Sequence, residues 1–116
     1  MPRFLAVYTM KPEDLAHWRT LPKAEQDSRD EVGLKQWVEW EAANATSFPD
    51  TGGMVGKTLR VTREGAGEAS NDLCGYIIVG ADSLEDAARL FENHPHFTIF
   101  PGDGVDIMPL LTGPQD

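Results

Sequence analysis

Cysteine is almost absent from this chain of 116 residues: Cys74 stands alone, so no intramolecular disulfide can form and a reducing, cytoplasmic setting is expected. Long apolar runs are missing as well. The N-terminal run Phe4 to Tyr8 follows a single Arg3 and is too short for a signal core or a membrane span, so no membrane partner is expected. Positive charge is scarce, with ten Lys and Arg against nineteen Asp and Glu and a formal net charge of −9. Such a surface repels phosphate backbones, which argues against nucleic acid as a partner. The chain also lacks a GxSxG elbow, a Walker loop, a dinucleotide fingerprint and the Cys/His spacing of zinc sites. Neither a cofactor nor a metal is expected, and no short-period repeat or low-complexity tract occurs.

What is present suits one domain over residues 1–116, long enough to hold a core without staples. Phe4 to Tyr8 reads as a first strand, broken by Lys11 and Pro12. Asp14 to Leu21 makes a short helix with His17 and Trp18, interrupted by Pro22. A long helix follows from about Ala24 to Ala45. At 100° per residue, Leu34, Val38 and Ala45 centre one face with Trp37 on its flank, Glu41 on the same face and Trp40 off to the side.

Phe48 to Gly56 reads as punctuation, rich in Gly and Pro. Lys57 to Thr62 alternates as a half-buried strand, and Arg63 to Asp72 as a long, mobile turn. Tyr76 to Val79, bounded by Gly75 and Gly80, reads as a central strand. Ser83 is an N-cap with Asp86 three residues on, and Leu84, Ala87, Ala88 and Phe91 give the following helix an apolar stripe. Pro95 is expected to end that helix. Gly104 to Leu111 makes the last strand, with Pro109 suited to an edge, and residues 112–116 fray.

The order strand, helix, strand, strand, helix, strand predicts the α+β class, as a ferredoxin-like βαββαβ fold with a four-stranded antiparallel sheet. Parity then assigns Leu5, Val7, Leu59, Val61, Ile77, Val79, Val105 and Ile107 to the face under the helices. Phe4, Tyr8, Thr58, Arg60, Cys74, Tyr76, Ile78, Asp106 and Met108 fall on the other face, too apolar to leave in water. A second copy covering that face predicts a homodimer enclosing a lined cavity.

The run GYIIVGADSLEDAARLFENHP from Gly75, the terminal VDIMP, the opening FLAVY and the segment GGMVGKTLRV resemble the YCII-related family, the DGPF-domain group. The likeness spans about Phe4 to Leu110. Residues 63–72 lack the Asp-Gly-Pro-Phe signature, and His17 and Arg19 have the wrong spacing for the early Arg and His of some members. The resemblance implies a dimeric α/β barrel with a cleft and a His and Asp pair; it transfers no reaction.

For chemistry, His94 and His96 flank Pro95 at a helix end. Either one faces the cleft as acid or base, oriented by Asp106, or His94 complements the helix terminus and His96 is solvated. Asp106 alternates with Val105 and Ile107, which points it into the mixed face or sets it on a hydrated rim. Arg60 forks toward a ligand carboxylate or pairs with an acidic neighbour. Glu41 in an apolar stripe needs a partner or an opening to water. Trp37 lines a flat pocket or packs, and Tyr8, Tyr76 and Met108 complete the expected ligand lining. Cys74 reads as inert core. The expected function is binding of a small metabolite in the inter-subunit cleft. The alternative is a cofactor-independent enzyme, of lyase, isomerase or monooxygenase type, using a His and Asp pair.

Overall fold

The structure, a computed structural model, describes residues 1–111. The expected fraying of residues 112–116 lies outside the described residues. β1 (Arg3–Thr9) occupies the middle of a four-stranded antiparallel sheet, paired on one side with β5 (Leu73–Gly80) and on the other with β6 (Gly104–Pro109). β2 (Asp50–Met54) pairs with the far edge of β5, giving the order β2-β5-β1-β6. With its helices on one face this is the ferredoxin-like arrangement. Pro109, which has no N–H for a ladder, ends β6 at an edge of the sheet.

α1 (Pro12–Thr20) starts on a proline, where a missing N–H costs nothing, with Glu13 and Asp14 in its first turn to favour the helix dipole. α2 (Lys23–Ala43) follows Pro22 directly and carries two exposed pairs, Lys23 with Asp27 and Glu25 with Arg29. Exposed and screened by solvent, such pairs add little to stability. Gly33, buried inside α2, is there for approach: a Cβ would run into the Phe100 ring. α3 (Leu84–Arg89) is capped as its sequence implies, the Asp86 N–H donating to Ser83 Oγ at 3.0 Å. Its buried stripe is narrower than the spacing suggests. Ala87 and Phe91 are buried, whereas Leu84 is exposed.

Pro95 does not end that helix. The helix stops at Arg89, the chain turns through Asn93 at a φ of 59°, and Pro95 opens a further short helix, α4 (Pro95–Thr98). The physical reason is the N1 preference of proline, which starts helices as readily as it halts them.

Lys57 to Thr62 also departs from expectation. β3 (Thr58–Thr62) pairs with β4 (Gly65–Ala69) in a separate two-stranded ribbon. Residues 63–72 are therefore not one long turn: the loop is Arg63 and Glu64, closed at Gly65 with a φ of 118°. Leu59 and Val61 are 65% and 77% exposed, so neither lies under the helices. The fourth sheet position goes instead to the Gly-rich segment of β2. Gly52 permits this at a φ of 66°, in close contact with the Tyr76 carbonyl, where a side chain would clash.

The phase of β1 is the third correction. Phe4, Ala6 and Tyr8 face the helices together with Ile77, Val79, Val105 and Ile107, while Leu5 and Val7 share the open face with Ile78, Met108, Tyr76 and Asp106. The sequence of β1 is apolar at every position from Phe4 to Tyr8, as suits a strand covered on both sides, so no polar residue marks its phase. Trp40 is likewise packed against the core and not aside from it. The radius of gyration, 16.1 Å, exceeds the roughly 13 Å usual at this length, and the molecule is a slab of 50 × 43 × 18 Å. Among the described residues no helix is long and apolar enough to cross a membrane.

These placements separate two residues that the sequence pattern groups together. Ile77→Ala should cost about 2–5 kcal/mol by opening a cavity at a fully buried site. Val61→Ala should stay within about 0.5 kcal/mol. Urea unfolding of the two variants against the parent checks both, and a large loss at Val61 would contradict the strand assignment.

Candidate functional site

The segment after α3 builds the site. His94 caps α4: its Nδ1 accepts the His96 backbone N–H at 3.0 Å, which pins Pro95 and the first turn. With Nδ1 accepting, the neutral imidazole carries its proton on Nε2. That Nε2 is buried and has no hydrogen-bond partner among the described residues. Aromatic rings surround it. The Trp37 and Trp40 indoles each stand 4.4 Å from the imidazole, at interplanar angles of 88° and 79°, with Tyr8 and Phe91 completing the cage. Weak N–H to π contact is the form of satisfaction this cage offers. Trp40 is itself fixed by its indole N–H donating to the Leu90 carbonyl at 2.6 Å.

His96 points the other way, toward β1. Its Nε2 lies 2.8 Å from the Thr9 carbonyl, and a carbonyl only accepts, so Nε2 carries the hydrogen. The neutral ring then leaves Nδ1 as a free lone pair. Thr9 gathers the following loop as well. Its hydroxyl donates to Asp103 Oδ1 at 2.6 Å, and its carbonyl accepts the Asp103 N–H at 3.1 Å. Gly102 lies against the His96 ring so closely that a Cβ would overlap it.

Both imidazoles are held neutral. His94, 1% exposed, has its pKa pushed down to about 4, mainly by burial and secondarily by His96. His96, 3% exposed, is pushed down by burial as well, partly offset by its bond to Thr9 and the charge of Asp103. Tyr8 moves up, first through burial, then through the Glu41 charge and last through Cys74, whose thiol would ionise before it, and this keeps its hydroxyl protonated. Cys74 also moves up, through burial and Asp103, and its thiol donates to the Tyr8 carbonyl at 3.3 Å. It remains a thiol, not a nucleophilic thiolate.

In front of these groups, between α1, α2 and the sheet, lies a cavity of about 530 Å³. Tyr8, Trp18, Trp37, Glu41, Cys74 and His96 are among its walls. The size is that of small-molecule sites. Of the residues singled out in the sequence, it brings together Tyr8, Trp37, Glu41 and His96. Tyr76 borders it near β2, although its register with Val7 sets the ring on the other sheet face. His94 stands behind the wall as cap and cage centre.

The remaining three residues lie elsewhere. Arg60 is exposed on the β3–β4 ribbon. Asp106 and Met108 lie on the open face, the sheet between them and the histidines, so no His and Asp106 pair forms. The phase of β1 is the reason the cavity is intramolecular and not between sheets. Trp18, Cys74 and Phe100 also line it and were missed as site residues. Spacing could have flagged only Trp18, at a helical offset of three from Leu15. Among the described residues no group of three or more His, Cys, Asp or Glu is arranged to hold a metal ion.

Comparison with known proteins bears on the fold. No protein-family model matches the chain, and no curated protein matches it. A solved structure does. The 5-chloro-2-hydroxyhydroquinone dehydrochlorinase of Burkholderia phenoliruptrix, in complex with 2,5-dihydroxybenzoquinone, superposes with a TM-score of 0.53 over 98% of each chain at 15% identity. Likeness at that identity establishes a shared fold.

Two outcomes test the site. Gly102→Ala should drive His96 off the Thr9 carbonyl, lowering stability by about 1–3 kcal/mol and shifting the imidazole nitrogen resonances in NMR. Because His94 is held near 4 while an unfolded histidine titrates near 6.5, the unfolded chain binds the extra proton first. Stability is therefore complete above about pH 6.5 and is lost as the pH falls toward 4, by roughly 3 kcal/mol from this group. Urea titrations at pH 7 and pH 4.5 should show a shallower acid loss in His94→Asn, which retains a capping oxygen.

Proposed function

We propose that this chain is a small-molecule-binding protein of the YCII-related kind, whose ligand occupies the cavity between α1, α2 and the sheet of one subunit. The single observation that carries this is the cavity itself: ligand-sized, walled mostly by aromatic and aliphatic side chains, with few polar groups. A flat ring suits walls made of Trp18, Trp37 and Tyr8. The like-folded dehydrochlorinase, a complex with one flat six-membered ring, supports that choice of shape. Leu34 is exposed at the cavity mouth and gives a clean block. Leu34→Trp should leave the melting temperature within a degree or two and abolish the thermal shift that 4-ethylphenol gives the parent protein. An unchanged shift in the variant would move binding elsewhere.

A second reading rests on His96. Its Nε2–H is anchored to Thr9, so the ring is oriented, neutral and able to take a proton at Nδ1 beside Tyr8, whose ring centroid is 5.0 Å away. That supports cofactor-independent proton transfer of the lyase or isomerase sort, with Tyr8 in place of the Asp106 first expected. His96→Gln, which still offers an N–H to Thr9, should keep binding and lose deuterium uptake into a bound cyclic ketone, followed by NMR.

The chain is proposed to act as a homodimer. Leu5, Val7, Ile78 and Met108 make an apolar patch on the sheet face that no helix among the described residues covers, which favours a second copy as its cover. Light scattering should give twice the mass of one chain, and Ile78→Glu should halve it. A parent protein that stays at the mass of one chain at about 100 µM would refute pairing.

A further inference from the structure

Glu41 is the half-buried carboxylate of the cavity that the fold leaves unpaired among the described residues. It sits one turn beyond Trp37 on α2, in a largely aromatic and aliphatic wall. Among the described residues its carboxylate meets neither a cation nor a hydrogen-bond donor. The Tyr8 hydroxyl lies within its field, on a side chain only 5% exposed, and likewise finds no hydrogen-bond partner among the described residues. No lysine or arginine lines the cavity. Asp30, three turns back along α2, is the other charged wall residue, and Lys23 two turns earlier shares its field.

We infer that the ligand is a cation, a protonated amine set against Glu41, carried on a flat ring between Trp37 and Trp18. This rests on the reading of the cavity as a binding site and names the charge class that site selects. The argument is one of complementarity. Filling the cavity strips water from the Glu41 carboxylate, and a neutral apolar ligand would leave that charge without a partner. An anionic ligand would meet a like charge with no cation among the described lining residues to offset it, since Arg29, whose guanidinium lies 5.9 Å from the Trp18 ring, is paired with Glu25. An ammonium answers the carboxylate directly and is attracted by the indole faces as well. The neutral hydroxyl of Tyr8 and the Nδ1 lone pair of His96 tolerate a ligand hydroxyl as donor or acceptor.

Three compounds on one skeleton test this: tyramine as the cation, 4-ethylphenol as the neutral form and 4-hydroxyphenylacetate as the anion, each titrated by calorimetry into the whole chain. The cation should bind about tenfold tighter than the neutral compound, at the modest end of what an ion pair and a cation–π contact give at partial burial, and the anion weakest. Glu41→Gln should erase the preference, weakening tyramine and, by removing the stranded charge, holding or tightening 4-ethylphenol until the two bind alike. Glu41→Lys should favour the anion, which guards against misreading a merely unfolded variant. If 4-ethylphenol binds as well as tyramine and Glu41→Gln alters neither, the charge assignment is wrong and the binding site survives. If none of the three binds, the site reading falls and the charge assignment falls with it.

Discussion

One hydrogen bond orders this molecule, from His96 Nε2 to the carbonyl of Thr9, at 2.8 Å. It ties the first turn of α4 to the end of the central strand, two parts separated by most of the chain. Everything at the site hangs from it. The same Thr9 holds the loop at Asp103 through side chain and backbone, so the tie fixes how β6 begins as well as where α4 begins. Gly102 lets the imidazole lie flat against that loop, a fit any larger residue would spoil. On the other side of Pro95, His94 is spent on capping and on filling the space between two indoles. The two histidines share a motif and divide its work: one makes the wall rigid, the other reaches the cavity.

The phase of β1 decides where that cavity can be. A strand apolar on both faces is free to present either set of side chains to the helices, and the choice falls to packing. Ala6 resolves it here. Fully buried opposite Ile77 and Ile107, it leaves room for the helices to close over Phe4 and Tyr8 at either side. Tyr8 lies opposite Gly75, where its Cδ2 would already be 3.4 Å from a Cβ. The aromatic ring thus lies over a glycine, under the helices and in the cavity wall. With the phase reversed, the cavity would belong to the sheet-to-sheet face and Tyr8 would stand with Asp106.

Legibility followed the strength of local chemistry. The Ser83 cap, the central strand around Ile77 and the edge position of Pro109 were readable because each is dictated by a few neighbouring atoms, and the ferredoxin-like order follows from them. The fourth strand was not, since Gly52 and Gly53 carry no pattern and their pairing depends on contact with a distant Tyr76 carbonyl. Leu59 and Val61 mimic a buried face by alternation alone, and alternation does not say which sheet a strand joins. In the site, Tyr8, Trp37, Glu41 and His96 were legible as unusual residues, but their meeting was not. Asp106 was misread for one reason: its own phase was right and that of β1 was wrong, which put the sheet between it and the histidines.

The pattern of shifts says what kind of chemistry the site can do. Burial suppresses charge on His94, His96, Tyr8 and Cys74 together, so these four groups are neutral donors and acceptors at ordinary pH. A wall like that does little for a reaction that needs a standing nucleophile, because neither a thiolate nor a tyrosinate is available. It suits proton exchange, where a neutral imidazole takes a proton and needs a nearby negative charge to hold the resulting cation. Glu41 and Asp103 are the carboxylates whose fields reach this corner, one through Tyr8 and one directly at His96. Asp103 is the carboxylate that would steady a protonated His96, and Glu41 the one set to attract a cationic ligand. A cation held in the cavity still repels a proton on the imidazole that lines it. An amine seated at Glu41 lowers the basicity of His96, so tight binding of a cation and base catalysis by this imidazole oppose each other in one pocket.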